Sequence, residues 1–447
     1  MRHSWEGGLR GRIYALGRRL VPLGWRRAVR RRVEPERLLG IRKPAVEVAT
    51  LPGPAAGPPG PLADVLVLPV IAWSYRRQRP QQLAEALARR GRRVFYGSVA
   101  GFGEPAEPAA VAPGVTLLPL GGVRREDLAD RRLEARARDA ALASLEAARE
   151  RFAIGRAAVV AESPFWAPLA TALRERFGWA FVYDCLDAHE GFATNRRGLL
   201  SEAESEAARS ADLVVATSET LQRRLSAPGR EARLLPNACD YTLFAGVPPP
   251  AELFAGVPAP GGSRRGLVAG YVGALDAWFD FELLAAVARL RPDWRFEIVG
   301  GLENAAGAPR ELSNVVNVTF HGERPHSEVP ALRGRFDVEI IPFRLSPLTH
   351  ATDPVKLYEA AAAGRAVVAT PLESLEPFAR AGVARLAASP EEFVAAIEAA
   401  AAEGPEAVAR RRAFAAANTW GHRAAALDAW LEPLTAAVSP KASGGSA

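Results

Sequence analysis

Lysine, methionine and cysteine are almost missing from this chain of 447 residues. Of its 57 basic residues only Lys43, Lys356 and Lys441 are lysine, and there is one methionine. Arginine for lysine and the rarity of methionine read as a GC-rich coding preference. The two cysteines, Cys185 and Cys239, give no disulfide framework, which fits a reducing cytosol. No run of about 18 apolar residues occurs, so no segment spans a bilayer as a helix. The N-terminus also has no continuous apolar core of signal-peptide type. Six histidines, at 3, 189, 321, 326, 350 and 422, form no recognised ligand cluster. Asp184 and Asp187 are spaced D-x-x-D, not D-x-D, so no metal site is expected.

A basic surface is scarce too, despite a formal net charge of +7. Residues 1–43 hold thirteen basic and three acidic side chains, so the rest of the chain is slightly acidic. A nucleic-acid groove in the folded body is therefore not expected. The arm reads "GLRGRIYALGRRLVPLGWRRAVRRRV". Leu9, Ile13, Leu16 and Leu20 recur at helical spacing, as do Trp25, Val29 and Val33. Such an Arg-rich amphipathic segment suits an anionic membrane surface. A helix packed on the body, or a targeting segment, fits the same pattern.

What is present is alternation. After a Pro/Gly linker, "LPGPAAGPPGP", apolar runs alternate with helical patterns. "DVLVLPVIAW", "RVFYG", "AAVVAES", "FVYDC" and "ADLVVATS" make a first βαβ series; "LVAGYVG", "RFEIVGG", "NVTFHG", "FDVEIIPF" and "RAVVATP" make a second. The expectation is an α/β protein with two Rossmann-like, doubly wound domains facing across a cleft. The divisions are an arm and linker at 1–60, a first domain at 61–244 and a second at 262–410. Helices at 411–438 would return to the first domain, and 439–447 would be a tail.

In such sheets ligands lie beyond the carboxyl ends of the strands. "HATDPVKLYEAAAAGRAVVATPL" contains the one lysine of the folded body. Asp353 is a candidate cap and Pro354 suits a first helical turn. Lys356 and Glu359 share a helix face. A helix N-terminus with a lysine suits a diphosphate, and a carboxylate one turn later can take both hydroxyls of a ribose. By itself the spacing favours a surface ion pair worth roughly 0.2–0.5 kcal/mol. In the first domain Asp187, with His189 second, is a candidate to orient or deprotonate a hydroxyl; a buried, hydrogen-bonded structural Asp is the alternative. Arg76, Arg77 and Arg79 in "RRQRPQ" follow a strand and are candidates to meet an anionic acceptor or the donor phosphates, a solvated loop being the alternative; Glu162, Ser163 and Trp166 in "ESPFW" also follow a strand and are candidates to line the acceptor side. Trp278 and Phe279 are candidates to flank a base or sugar, or to be packing.

This stretch resembles the donor-site motif of GT-B fold glycosyltransferases, in the large retaining group called family 4. One branch carries a pattern like P-x-K-x-x-E-(Y)-x-A-x-G-x-P-V-V, matched here by Pro354, Lys356, Glu359, Ala362, Gly364, Val367 and Val368. "WSYRRQRPQQLAEALARRGRRVFY", "VYDCLDAHEGF", "ADLVVATSETL", "LLPNACDYTLF" and "GYVGALDAWFDFELL" resemble other landmarks of that branch, in the same order, over about residues 65–436. The resemblance implies a second domain that binds a nucleoside diphosphate sugar through Gly273, Arg344, Asp353, Lys356, Leu357 and Glu359. It implies acceptor-side residues Arg76, Arg79 and Glu162, and catalytic candidates Asp187 and His189. It further implies transfer to a glycan or lipid-linked hydroxyl with retention, no bound metal and no cofactor beyond the donor. Work in the cytoplasm, at the inner membrane face, on surface polysaccharide or glycolipid is expected. A non-catalytic nucleotide- or sugar-binding protein and a nucleotide-sugar epimerase are the alternatives.

Two departures stand out. The family's E-x(7)-E pattern needs Glu at 351, where this chain has Ala351, leaving Thr352 or Asp353 as substitutes. Many members also carry an Arg and a Lys after the first strand of the second domain; "GYVGALDAWFD" has neither. Lys356, helped by Arg344, is then expected to neutralise the phosphates.

Overall fold

Runs such as "DVLVL" make strands that are buried on both faces, so they read as continuous apolar stretches rather than alternating ones. The structure, a computed structural model, describes residues 48–129, 133–191, 197–248, 266–301, 310–312 and 314–436. The basic arm at 1–43, most of the expected junction after residue 248 and the 439–447 tail lie outside the described residues.

The first sheet contains β1 (Asp64–Leu68), β2 (Val94–Ala100), β3 (Ala109–Ala112), β4 (Val115–Arg124), β5 (Ala157–Ala161), β6 (Ala180–Cys185), β7 (Leu213–Ala216) and β8 (Arg233–Leu234). Their order is β3-β4-β2-β1-β5-β6-β7-β8. All neighbours are parallel except β3 and β4. The second sheet holds β9 (Val268–Val272), β10 (Arg295–Val299), β11 (Val318–Gly322), β12 (Val338–Ile341), β13 (Ala366–Ala369) and β14 (Ala384–Leu386). It is wholly parallel, in the order β11-β10-β9-β12-β13-β14. Each sheet reverses direction of winding beside its first strand, between β1 and β5 and between β9 and β12. Such switch points open crevices at the carboxyl ends of the strands. Both sheets lie in one unit beginning at Val48.

The helices begin where the sequence supplies caps. Asp280 accepts the Leu283 amide at 3.0 Å to start Phe281–Leu290, and Ser389 accepts that of Glu392 at 3.2 Å to start Pro390–Ala401. The last helix, Trp420–Ala436, packs on the first domain, whereas the helix before it, Pro405–Ala416, packs on Val355–Ala362 of the second. Trp420, Ala424, Leu427 and Leu431 are buried in one cluster with Val65, Leu83 and Leu87. Asp428 adds ion pairs to Arg90, at 2.9 Å, and to Arg92. Cys185 and Cys239 are both buried and free. No helix of the described residues is long and apolar enough to cross a membrane.

Candidate active site between the two domains

The carboxyl ends of both sheets meet at a cavity of about 740 Å³, within the range of roughly 300–1,000 Å³ usual for ligand pockets. The first domain contributes the loop after β1, Asp187 after β6, and Asn237. The second contributes the turns after β9, β10 and β11 and the start of the helix Val355–Ala362.

Two glycines make room at the floor. Gly273, after β9, has φ of 153°, and a Cβ there would lie 2.7 Å from Lys356 Cε. Gly300, after β10, has φ of 156°, and its Cβ would lie 1.8 Å from the Gly273 carbonyl oxygen. Only residues without a side chain allow the two strand ends this approach. The helix behind them starts at Val355, and Pro354 is its N-cap. The Leu357 amide donates to Pro354 O at 3.0 Å, while those of Val355 and Lys356 have no acceptor among the described residues. They form a positive helix end that faces the cavity.

Lys356 reaches from this helix end across Gly273. Its Nζ lies 5.1 Å from the Tyr271 ring centre and 4.9 Å from that of Phe343. It forms no ion pair among the described residues. Burial pulls its pKa down to about 8, a drop that the Glu359 charge resists. The ammonium is thus desolvated and available to an incoming anion.

Glu359 lines the cavity one turn further on. Its Oε2 accepts from Arg333 Nη2 at 2.7 Å, and Oε1 faces His326 Nε2 at 3.5 Å. Burial favours its neutral form, but the His326 hydrogen bond and the Arg333 charge prevail and hold the carboxyl below its ordinary pKa. Arg333 is fully buried and also pairs with Glu339 of β12. An ionised acceptor with an open lone pair can still receive a ligand hydroxyl.

On the other wall, Asp187 Oδ1 accepts from the Thr352 hydroxyl at 3.3 Å. Burial raises its pKa to about 7, a rise that the Thr352 hydrogen bond resists and the Asp353 charge increases. Such a carboxylate is poised to accept a proton near neutrality.

Several expected site residues are placed elsewhere. His189 is buried, lies off the cavity, and burial lowers its pKa to about 4, so it is neutral. Arg79 is buried and structural: its guanidinium grips Asp184 at 2.9 and 3.0 Å and donates to Leu235 O at 3.0 Å. Glu162 is buried outside the cavity, and burial beside Asp184 raises its pKa well above the ordinary carboxyl value. Trp166, also buried, donates to Pro69 O at 2.9 Å, and Ser163 caps the short helix at Pro164–Trp166. Leu357 and Phe279 belong to the second domain's core. Arg344 is exposed and does not line the cavity.

Asp353 lines the cavity but does not cap the helix. It accepts the Asn237 amide at 2.5 Å and faces the Tyr358 hydroxyl at 3.1 Å, tying the domains together. Burial raises its pKa to about 6. Ala351 is buried with Leu348 in the first domain's cluster, and its carbonyl accepts from Ser218 Oγ at 2.7 Å. The position where the resemblance wants a carboxylate is used here for interdomain packing. Arg76 and Arg77 do line the cavity, paired with Glu323 and Glu85 respectively. Trp278 lines it too. Sequence reasoning missed Arg333, His326, Glu323 and Asn237, each of which has a partner more than 25 residues away in the chain.

Comparison with known proteins bears on this arrangement. Residues 266–403 match the family model of glycosyl transferases group 1. Over 247 residues the chain is 29% identical to TuaH of Bacillus subtilis (strain 168), whose name assigns it, as a glycosyltransferase, to teichuronic acid biosynthesis. That match covers 52% of this chain and 60% of the relative. Among solved structures, sucrose-phosphate synthase of Thermosynechococcus elongatus superposes with a TM-score of 0.65 at 20% identity, covering 84% of this chain and all of that one. Anabaena HepE, solved with UDP-glucose, gives 0.56 at 16% identity over 84% of this chain and 100% of that one. The α,α-trehalose 6-phosphate synthase of Burkholderia multivorans gives 0.58 at 13% identity over 85% of this chain and 100% of that one. These likenesses identify the fold as GT-B.

Proposed function

We propose that this chain, whose residues 266–403 match the group 1 glycosyl transferase model, transfers a sugar from a nucleoside diphosphate sugar to a hydroxyl during cell-surface polysaccharide synthesis. The observation that carries the proposal is the meeting of Lys356 Nζ, the Gly273 turn and the open amides of Val355 and Lys356 on one wall of the cavity. A diphosphate laid there receives the helix-end amides and the ammonium. Glu359 takes a ribose hydroxyl. As the glycosidic bond breaks, charge grows on the leaving diphosphate, and these fixed groups stabilise it without reorganising. In this reading the Lys356 ammonium and the helix-end amides neutralise the leaving diphosphate, and no metal ion is given a role.

Asp187, across the cleft, orients the acceptor hydroxyl and, as a carboxylate, can take its proton. Retention at the anomeric carbon belongs to this reading through the resemblance in the donor motif. The polysaccharide role rests on the partial likeness to TuaH. Donor choice within the nucleoside diphosphate sugars is open to direct screening.

The test is a thermal-shift and turnover screen of nucleoside diphosphates and their sugars. A true ligand at about 100 times its Kd should stabilise the protein by roughly 2.7 kcal/mol. Lys356→Ala and Glu359→Gln should abolish that shift and any donor turnover. Unaltered binding and turnover in both variants would sink the proposal. Product analysis separates transfer from isomerisation, and the anomeric proton coupling reads out retention.

A further inference from the structure

The chain lacks the pair of basic residues that its resemblance leads one to expect after β9, yet a second cation reaches the same turn from the opposite domain. Arg76 stands in the loop after β1. A Cβ built on Gly301 would meet its Nη2 at 2.9 Å. The Gly301 carbonyl in turn accepts the Leu275 amide at 3.0 Å, so Gly301 abuts the Gly273–Leu275 turn. A Cβ on Gly273 would lie 3.0 Å from Lys356 Nζ. Arg76 and Lys356 therefore flank one turn, from two domains.

Arg76 is held by a carboxylate. Its Nε and Nη2 donate to Glu323 Oε1 and Oε2 at 2.6 and 3.0 Å, a fork-to-fork pair that crosses the cleft. The Arg76 side chain is 22% exposed and that of Glu323 is 56% exposed. Glu323 is thus the more solvent-exposed of the two partners, and both line the cavity. Solvent screening at the exposed Glu323 makes this pair weaker than a buried one of the same geometry. A phosphate offers the same bidentate face to a guanidinium, with more charge.

We propose that Arg76 is a cross-domain clamp for the donor diphosphate and that Glu323 occupies it as an internal stand-in until the nucleotide arrives. This rests on the functional reading above. Binding then exchanges one bidentate partner for another, and the link across the cleft that Glu323 provides without nucleotide passes to the diphosphate. Glu323 acts as a competitor, and Arg76 as a ligand contact.

The proposal makes a prediction of sign. If the pair only latched the domains, removing either partner would weaken ligand binding alike. As a clamp with a stand-in, the two substitutions act in opposite directions. Isothermal titration with UDP, ADP and GDP should show the best of these binding about tenfold more weakly to Arg76→Ala, the loss of one charge-assisted bidentate contact. Glu323→Gln should bind it about threefold more tightly, and the gain should vanish in the double variant, since the two residues act through one contact. The matching nucleoside, without phosphate, should not distinguish Glu323→Gln from wild type. Binding that is unchanged in both variants, or weakened in both, would overturn the clamp while leaving the functional reading intact. Failure of all three diphosphates to bind the wild type would overturn both.

Discussion

Lys356 is the only lysine among the described residues, and its environment explains why arginine does not serve there. A point charge on a flexible stem fits between the Tyr271 and Phe343 rings, over a turn that admits no side chain. Its value depends on protonation, as that of Asp187 depends on ionisation. Asp187, raised to about 7, must lose its proton to work, so activity should fall as pH drops below 7. Lys356, lowered to about 8, must keep its proton, so activity should fall as pH climbs above 8. A kcat/KM profile should be bell-shaped between these limbs, with the acid limb lost in Asp187→Asn. A flat profile from pH 6 to 9 would refute these roles. Gly273→Ala tests the floor: strained at φ of 153° and pressed on Lys356, it should weaken nucleotide binding by about tenfold or more with only about 1 kcal/mol of lost stability. Calorimetric binding beside thermal unfolding reads both.

At the scale of elements, the strands and the terminal helix were readable because their cause is local. Continuous valine and alanine runs cannot be anything but buried, and caps such as Asp280 sit beside the amides they receive. The helix Trp420–Ala436 closes one face of the first sheet through Leu427 and Leu431. Leu431→Ala should therefore destabilise the protein by about 2–5 kcal/mol, measured by urea unfolding, although the residue is remote from the cavity. Arg333 illustrates the opposite case. It is one arginine among many in the sequence, and nothing near it marks it out. Its meaning comes from Glu339 of β12 and Glu359 of the helix Val355–Ala362, which bracket a fully buried guanidinium. Arg333→Met should strand both carboxylates and cost about 3–5 kcal/mol, visible as a lowered unfolding midpoint and weaker nucleotide binding together.

At the scale of the whole molecule, Asn237 is the joint. Its amide and side chain meet Asp353 Oδ2 and O at 2.5 and 2.6 Å, its Oδ1 takes a 3.4 Å contact from Arg79, and its carbonyl accepts from Arg423 of the last helix at 3.1 Å. One residue thus ties first domain, second domain and returning helix. Asn237→Ala should cost about 1–3 kcal/mol by leaving buried groups unpaired, read as a fall in Tm, and should lower turnover more than its effect on isolated nucleotide binding.

The sequence alone determined the two βαβ series and the helix start at Pro354, because periodicity and helix-start chemistry act between near neighbours; the strand order in each sheet, and strands such as β3 and β4, came only with the structure. It also singled out Lys356, Glu359, Gly273 and Asp187, all of which line the cavity. Only the tertiary structure decided which other charges face a ligand. Arg79, His189 and Glu162 follow strands as Arg76 and Asp187 do, yet they are buried or turned away. The physical reason is that a charged side chain goes where its desolvation is compensated, and the compensating partner, Asp184 for Arg79 or Glu323 for Arg76, lies more than a hundred residues away.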